Sequence, residues 1–248
     1  MISALECHSR EPFVETFEEI GKATGDGRII PFLCETIFTL DAMLRKERGE
    51  LFSEYKLRSG MTTGVGAASR ESSGFLENRL KVAMDQGFRI LRLPRIADVA
   101  KLDIESRFYR HDDPISYLDK VFEIARAMES RGAGFIQIKE LGQKYGTHWM
   151  DGIEQAPEQE AGNIAGAIAE WGAGDSVACH IALGGDYFCV GDRLRNAGER
   201  SIFSRDNLDW LREKYDFRIV SPEELVRMID TDQSPCPADL SLSSSVAC

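Results

Sequence analysis

The order of the apolar segments is the sequence feature that most limits the possible folds. Short apolar runs typical of buried strands occur at Arg28–Phe32, Phe88–Leu93, Asp186–Val190 and Phe217–Val220. Longer segments between them carry apolar residues at helical spacing, as in the helix predicted from Asp113, its cap, to Ser130. Strands that alternate with helices predict a parallel sheet covered by helices, which is an α/β layer fold.

The remaining segments follow from the same periodicity and from the breakers between them. Helices are predicted at Pro12–Ala23, Leu33–Arg48, Glu158–Trp171, Asp175–Leu183 and Asn207–Lys214, and from a capping box at Ser221 to Ile229. Gly172-Ala173-Gly174 is expected to interrupt the chain between two of these helices. The stretch Ser59–Gly74 is rich in Gly, Ser and Thr and is predicted to be a loop, whereas Lys139–Pro157 shows no clear pattern.

Charge and cysteine content restrict the function classes. A net charge of -11 argues against a general nucleic-acid coat protein. Residues 45–110 nevertheless hold 14 Lys/Arg against 9 Asp/Glu, a local +5, so Arg89, Arg92 and Arg95 could contact a phosphate backbone or form an ordinary solvated surface. The six cysteines form no C-x-x-C pair, so neither a disulfide framework nor a zinc site is indicated.

The expected location is the cytoplasm. Scattered free thiols fit a reducing compartment. The first ten residues lack the pattern of a secretion signal, and no apolar run has the length that a bilayer crossing needs. No membrane partner is therefore expected.

Three carboxylates are candidates for chemistry. Glu35 lies on a largely apolar side of its predicted helix, where a carboxylate is costly unless paired; the alternative is a surface glutamate near the first helical turn. Asp175 begins a predicted helix and could be a simple N-cap. Asp192 follows a predicted strand, and the alternative is a turn residue. Because ligands gather at the carboxyl ends of parallel strands, Asp175 and Asp192 could meet at one sheet edge and bind Mg²⁺ or Mn²⁺.

The segment Asp175–Asp192 (DSVACHIALGGDYFCVGD) resembles the signature of PIN-domain nucleases. In that family an aspartate starts a helix, a Gly-x-Asp leads into an apolar strand, and a second aspartate closes it. Phe217–Leu225 is similar to the family's last strand and its Pro-Glu-Glu helix start, and Phe32–Glu35 is similar to the strand followed by a helical glutamate. The resemblance implies that Glu35, Asp175 and Asp192 are catalytic residues and metal ligands.

The resemblance also implies a domain organisation. A PIN-like three-layer sandwich, with a central parallel sheet and helices on both faces, would comprise residues 1–50 and 158–230. Residues 51–157 would form a mostly helical insert that the family pattern does not explain. Residues 231–248 are rich in Ser, Pro and Asp, a composition that predicts a disordered tail. Met1–Leu5 resembles the part of the family that follows its first strand and first aspartate, so these two features are expected upstream of Met1.

The function implied is that of a metal-dependent endoribonuclease that hydrolyses RNA with Mg²⁺ or Mn²⁺. Two alternatives stay open. The first is a non-catalytic PIN-like binding module, which the acidic charge, the insert and the unmatched first aspartate favour. The second is the toxin component of a toxin–antitoxin pair, with an antitoxin-like protein or a second copy of the chain as partner.

Overall fold

The computed structural model describes residues 14–37, 81–91, 93, 108–109, 111–191 and 197–231. In chain order these form α1 (Val14–Gly25), β1 (Phe32–Cys34), β2 (Arg89–Leu91), β3 (Phe108–Tyr109), α2 (Pro114–Glu129), α3 (Ile136–Gln143), α4 (Trp149–Gln155), a 3₁₀ turn (Glu158–Glu160), α5 (Ala161–Leu183), β4 (Phe188–Cys189), α6 (Arg205–Tyr215), β5 (Ile219–Val220) and α7 (Pro222–Thr231). Residues 35–37 and 81–85 are also helical.

The described strands form two small parallel sheets. In the first, β2 lies between β1 and β3, with Phe32 opposite Arg89 and Ile90 opposite Phe108. In the second, β4 pairs with β5, with Phe188 opposite Ile219. The prediction of a mixed α/β fold with parallel strands is confirmed, and helices predominate over strands.

The first strand lies later in the chain than predicted. The apolar run Arg28–Phe32 was expected to be a strand and Leu33 to open a helix, but β1 covers Phe32–Cys34 and the helix begins at Glu35. Pro31 has no N–H to contribute to a ladder, and only its carbonyl takes part, accepting from the Arg89 amide at 2.9 Å. Strand pairing therefore starts after the proline.

Two predicted helix starts are confirmed. The Asp113 side chain accepts a hydrogen bond from the Ser116 amide at 3.1 Å, and α2 begins at Pro114. At the start of α7, the Glu224 amide donates to the Ser221 hydroxyl at 3.1 Å, and the Glu224 carboxylate accepts from the Ser221 amide at 2.8 Å. Both starts satisfy amides that would otherwise lack partners in the first turn.

The predicted break at Gly172–Gly174 is wrong. Helix α5 continues without interruption from Ala161 to Leu183, so Asp175 lies inside this helix and not at its start. A Cβ on Gly174 would lie 3.0 Å from the Cα of Gly134, in the turn between α2 and α3. The small residues therefore let another segment approach the helix closely, and tertiary packing outweighs their low helix propensity.

The stretch that the sequence left unassigned forms a tight helical pair, α3 and α4. A Cβ on Gly152 would overlap the carbonyl oxygen of Gly142, and one on Gly142 would overlap the backbone of Trp149. Both helices pack with the first half of α5 around a buried apolar cluster: Ile138, Leu141, Met150, Ile153, Ile164, Ala167, Ile168 and Trp171. We call this the helical core.

A second and larger cluster fills the space between the strands, α2 and the second half of α5. Its members include Cys34, Leu91, Val121, Ile124, Met128, Val177, Ala178, Cys179, Ile202, Leu211 and Phe217. We call this the sheet core. The strands β2 and β3 and helix α2 come from the range 51–157 and contribute to this core together with β1 and α5.

Several predictions fall on residues that the structure does not describe. They are the loop at Ser59–Gly74, most of the helix expected to Arg48, and the tail beyond residue 231. Among the helices of the described ranges, none has both the length and the apolar composition needed to cross a membrane.

Candidate functional site

Glu35 is buried at the carboxyl end of β1. It directly follows the strand residue Cys34, and its side chain is 2% exposed. Its Oε2 atom accepts a hydrogen bond from the backbone amide of Leu93 at 3.0 Å, just beyond the end of β2. The alternative of a surface glutamate is therefore wrong: Glu35 joins the chain that leaves β1 to the chain that leaves β2.

Asp175 is buried within α5 and is 1% exposed. Its Oδ2 atom accepts two hydrogen bonds, from the Thr36 hydroxyl and from the Trp171 indole Nε1, each at 3.0 Å. The helical start on which the N-cap alternative depended does not exist here. Two donors on one oxygen offset part of the cost of burying a carboxylate.

Thr36 links the segment that carries Glu35 to Asp175. It follows Glu35 in the chain, is 2% exposed, and donates to Asp175 across the contact between β1 and α5. Its hydroxyl also accepts from the Cys34 thiol at 3.5 Å. We call these three buried polar residues, Glu35, Thr36 and Asp175, the carboxylate cluster.

Two buried thiols line the cluster. Cys34 and Cys179 lie with their Sγ atoms 3.5 Å apart. The hydrogen bond with Cys34 and burial raise the pKa of the Cys179 thiol, and burial raises the pKa of the nearby Tyr117 phenol. Cys179 therefore stays a protonated thiol near neutral pH and is unsuited to the role of a nucleophile, which requires the thiolate.

The third predicted ligand, Asp192, lies outside the described residues, which resume at 197 after Gly191. Of the predicted set Glu35, Asp175 and Asp192, the structure buries the first two, and the residue after Glu35 donates a hydrogen bond to Asp175. Within the described ranges, no three His, Cys, Asp or Glu side chains are grouped so that they could hold a metal ion. A complete metal site would need Asp192 or another group from outside those ranges.

The chemistry of the cluster fits a hard cation. Carboxylate and hydroxyl oxygens are donors that suit Mg²⁺ and Mn²⁺. A cation would compete with the Leu93 amide at Glu35 Oε2 and with two donors at Asp175 Oδ2. Sulfur is a soft donor, and so the adjacent thiols contribute little to a site for a hard cation.

Sequence reasoning missed Thr36 and Trp171. Trp171 precedes Asp175 by four residues, the spacing at which side chains meet on one helix face. The predicted break at Gly172–Gly174 hid this pair. Thr36 had no local signal, because its partner lies 139 positions away in the chain.

Two other predicted features are partly described. The Arg89 guanidinium lies over the rings of Phe32 and Tyr109, at 5.9 and 6.0 Å from their centroids, while Arg92 and Arg95 lie outside the described residues. His180, in the segment that resembles the PIN-domain signature, is packed edge-on against Phe188 and Phe217.

The chain matches no protein-family model, no curated protein and no solved structure.

Proposed function

We propose that this protein is a metal-dependent endoribonuclease with a PIN-like three-layer sandwich fold. One observation carries the proposal: Glu35 and Asp175, distant in the chain, are both buried and joined through Thr36 at the carboxyl end of a parallel strand. Buried carboxylates at such an edge are expensive for a fold and are common where ligands bind. The PIN-like pattern of the sequence supplies the substrate class, RNA.

In this proposal Glu35, Asp175 and Asp192 hold Mg²⁺ or Mn²⁺. The bound metal would activate a water molecule and neutralise charge on the scissile phosphate. The protein's own part is to fix the carboxylates: the Leu93 amide orients Glu35, and Thr36 and Trp171 orient Asp175. Such prearranged ligands limit the reorganisation that metal binding costs.

A second candidate function is a PIN-like binding module without catalysis. The burial of both carboxylates favours it, because Glu35 Oε2 and Asp175 Oδ2 are already engaged by protein donors. In this case the cluster stabilises the contact between β1 and α5, and the partner is an antitoxin-like protein, RNA or a second copy of the chain. The cytoplasm stays the predicted location.

The decisive variants are Asp175→Asn and Asp192→Asn. Asparagine keeps the size of aspartate and an oxygen that Thr36 and Trp171 can donate to, but it is a weaker metal ligand. We expect each variant to remain folded and to lose Mn²⁺-dependent cleavage of single-stranded RNA by about a hundredfold or more, since the metal contributes several kcal/mol to the transition state. Cleavage of a labelled oligonucleotide measures the loss.

Asp209→Asn is the matched control, because Asp209 is exposed on α6 and bonded to Arg212 far from the cluster in sequence. It should cleave at the wild-type rate. Full activity in either cluster variant contradicts the nuclease proposal. Calorimetric titration of the wild-type chain with Mg²⁺ separates the two functions: a nuclease binds the ion with the affinity lowered in Asp175→Asn, whereas a binding module shows no such binding.

A further inference from the structure

A cavity separate from the carboxylate cluster lies at the carboxyl end of α5. Its volume is about 250 Å³, and it is bounded by the last turns of α5 and by the residues that enter β4 and β5. The polar and aromatic residues that line it are His180, Asp186, Tyr215, Asp216, Phe217 and Arg218. None of them belongs to the proposed nuclease site.

The charges around the cavity do not balance. Arg218 and Asp216 form an ion pair at 2.7 Å, so these two charges largely offset each other. Asp186 then remains as a carboxylate without a matching cation among the described lining residues. The cavity therefore has a net charge of one negative unit when Asp186 is ionised.

Asp186 is poorly compensated by the protein. Its Oδ2 atom is enclosed and accepts no hydrogen bond from any described residue. Burial raises the pKa of the carboxyl, although the charge of Arg218 acts in the opposite direction. A positive group placed in the cavity would reverse this effect, because it favours the ionised carboxylate.

His180 adds no positive charge to the cavity wall. Its ring is held edge-on between Phe188 and Phe217, with centroid separations of 5.4 and 5.6 Å, and burial lowers its pKa to about 4. A Cβ on Gly185 would lie 2.6 Å from the ring, so glycine at 185 allows this placement. Near neutral pH the histidine is uncharged and does not repel a cation.

We propose that this cavity binds a small organic cation with a primary ammonium group, whose charge pairs with Asp186 while its carbon chain lies against Phe217 and Ile181. The volume is below the roughly 300 Å³ at which pockets for drug-sized ligands begin. A short alkylammonium chain fits this limit. The same chemistry is present in a free amine and in a lysine side chain of another protein.

The test uses n-butylammonium and its neutral counterpart 1-butanol, titrated into the full chain. Binding is followed by nuclear magnetic resonance at the His180 ring and at the backbone of residues 184–186. We expect saturable shifts with n-butylammonium, with a Kd on the order of 1 mM, and at least about tenfold weaker binding of 1-butanol. Asp186→Asn should weaken n-butylammonium binding by about tenfold, and Asp209→Asn should leave it unchanged.

A blocked tripeptide with a central lysine distinguishes the two sources of the ammonium group. Tighter binding of the peptide than of n-butylammonium supports a protein lysine as the ligand, and tighter binding of n-butylammonium supports a free amine. Equal binding of n-butylammonium and 1-butanol by the wild-type chain overturns the proposal, as does the absence of saturable shifts. Unchanged affinity in a folded Asp186→Asn variant overturns it as well.

Discussion

Helix α5 passes through two cores that are built in different ways. Its first half belongs to the helical core, whose buried side chains are apolar apart from the indole N–H of Trp171 and which depends on backbone contact between glycines of α3 and α4. Its second half belongs to the sheet core, where Asp175, Cys179 and His180 introduce polar groups. The stability of the helical core therefore depends most on steric fit, and that of the sheet core depends also on hydrogen bonding and charge.

This comparison predicts that added volume damages the helical core most. In Gly152→Ala the new methyl group overlaps the Gly142 carbonyl oxygen, and backbone atoms cannot rotate away as a flexible side chain can. We expect α3 and α4 to separate and the free energy of unfolding to fall by more than about 3 kcal/mol, at the upper end of overpacking effects. Chemical denaturation of the purified variant measures the change.

The matched control is Gly162→Ala in the first turn of α5, where nothing lies within 4 Å of the added Cβ. Alanine is favoured over glycine in a helix, so this variant should gain up to about 1 kcal/mol. The same substitution is thus expected to lower the free energy of unfolding at Gly152 and to raise it at Gly162, and the difference between the two isolates the steric contribution. A Gly152→Ala variant as stable as the wild type would show that the two helices do not touch as described.

The sheet core should respond to pH through His180. Its pKa is about 4 in the folded protein and 6.5 when exposed, so the unfolded chain takes up a proton in a range where the folded protein does not. The contribution of the uncharged His180 to the free energy of unfolding is therefore fully present above pH 6.5 and is lost as the pH decreases toward 4. The full shift corresponds to roughly 3 kcal/mol, and residual solvent contact at the cavity reduces this to about 2 kcal/mol.

Comparison with His180→Phe isolates this effect from the titration of the carboxylates. Phenylalanine fills the ring position between Phe188 and Phe217 and does not titrate in this range. Denaturation at several pH values should show a shallower loss of stability between pH 6.5 and 4 in the variant. Parallel curves for the two proteins would contradict the burial of an uncharged imidazole.

The two cores also differ in how far the sequence could predict them. Helical periodicity and caps located α2, α6 and α7, and the apolar runs indicated parallel strands near β2, β4 and β5. These features are local, since they depend on residues within one or two turns. The burial of Glu35 was suspected from its apolar neighbours for the same reason.

Contacts between distant segments were not predictable. Glycine usually weakens or interrupts a helix, yet Gly142, Gly152 and Gly174 each lie where another backbone segment comes close. Because Gly172 and Gly174 were interpreted as a break, the sequence predicted two helices in place of α5 and assigned Asp175 to a helix start. This assignment hid the hydrogen bond between Asp175 and Trp171. The hydrogen bond between Thr36 and Asp175 depends on the packing of β1 against α5, which no local pattern contains.

The last prediction tests the hydrogen bond between Thr36 and Asp175. Thr36→Val keeps the shape of the side chain but removes the hydroxyl that donates to Asp175 Oδ2, so that this oxygen keeps only the hydrogen bond from Trp171 of the two described above. Hydrogen bonds to charged groups contribute about 1.5–3 kcal/mol, and we expect the free energy of unfolding to fall by about 2 kcal/mol.

Thr24→Val is the matched control, because Thr24 donates to the neutral Ile20 carbonyl at 2.9 Å in a partly exposed setting. It should lose about 1 kcal/mol or less. Equal losses measured by chemical denaturation would mean that Asp175 gains no more from Thr36 than a neutral carbonyl does from Thr24, and the carboxylate cluster would then not be a coupled unit.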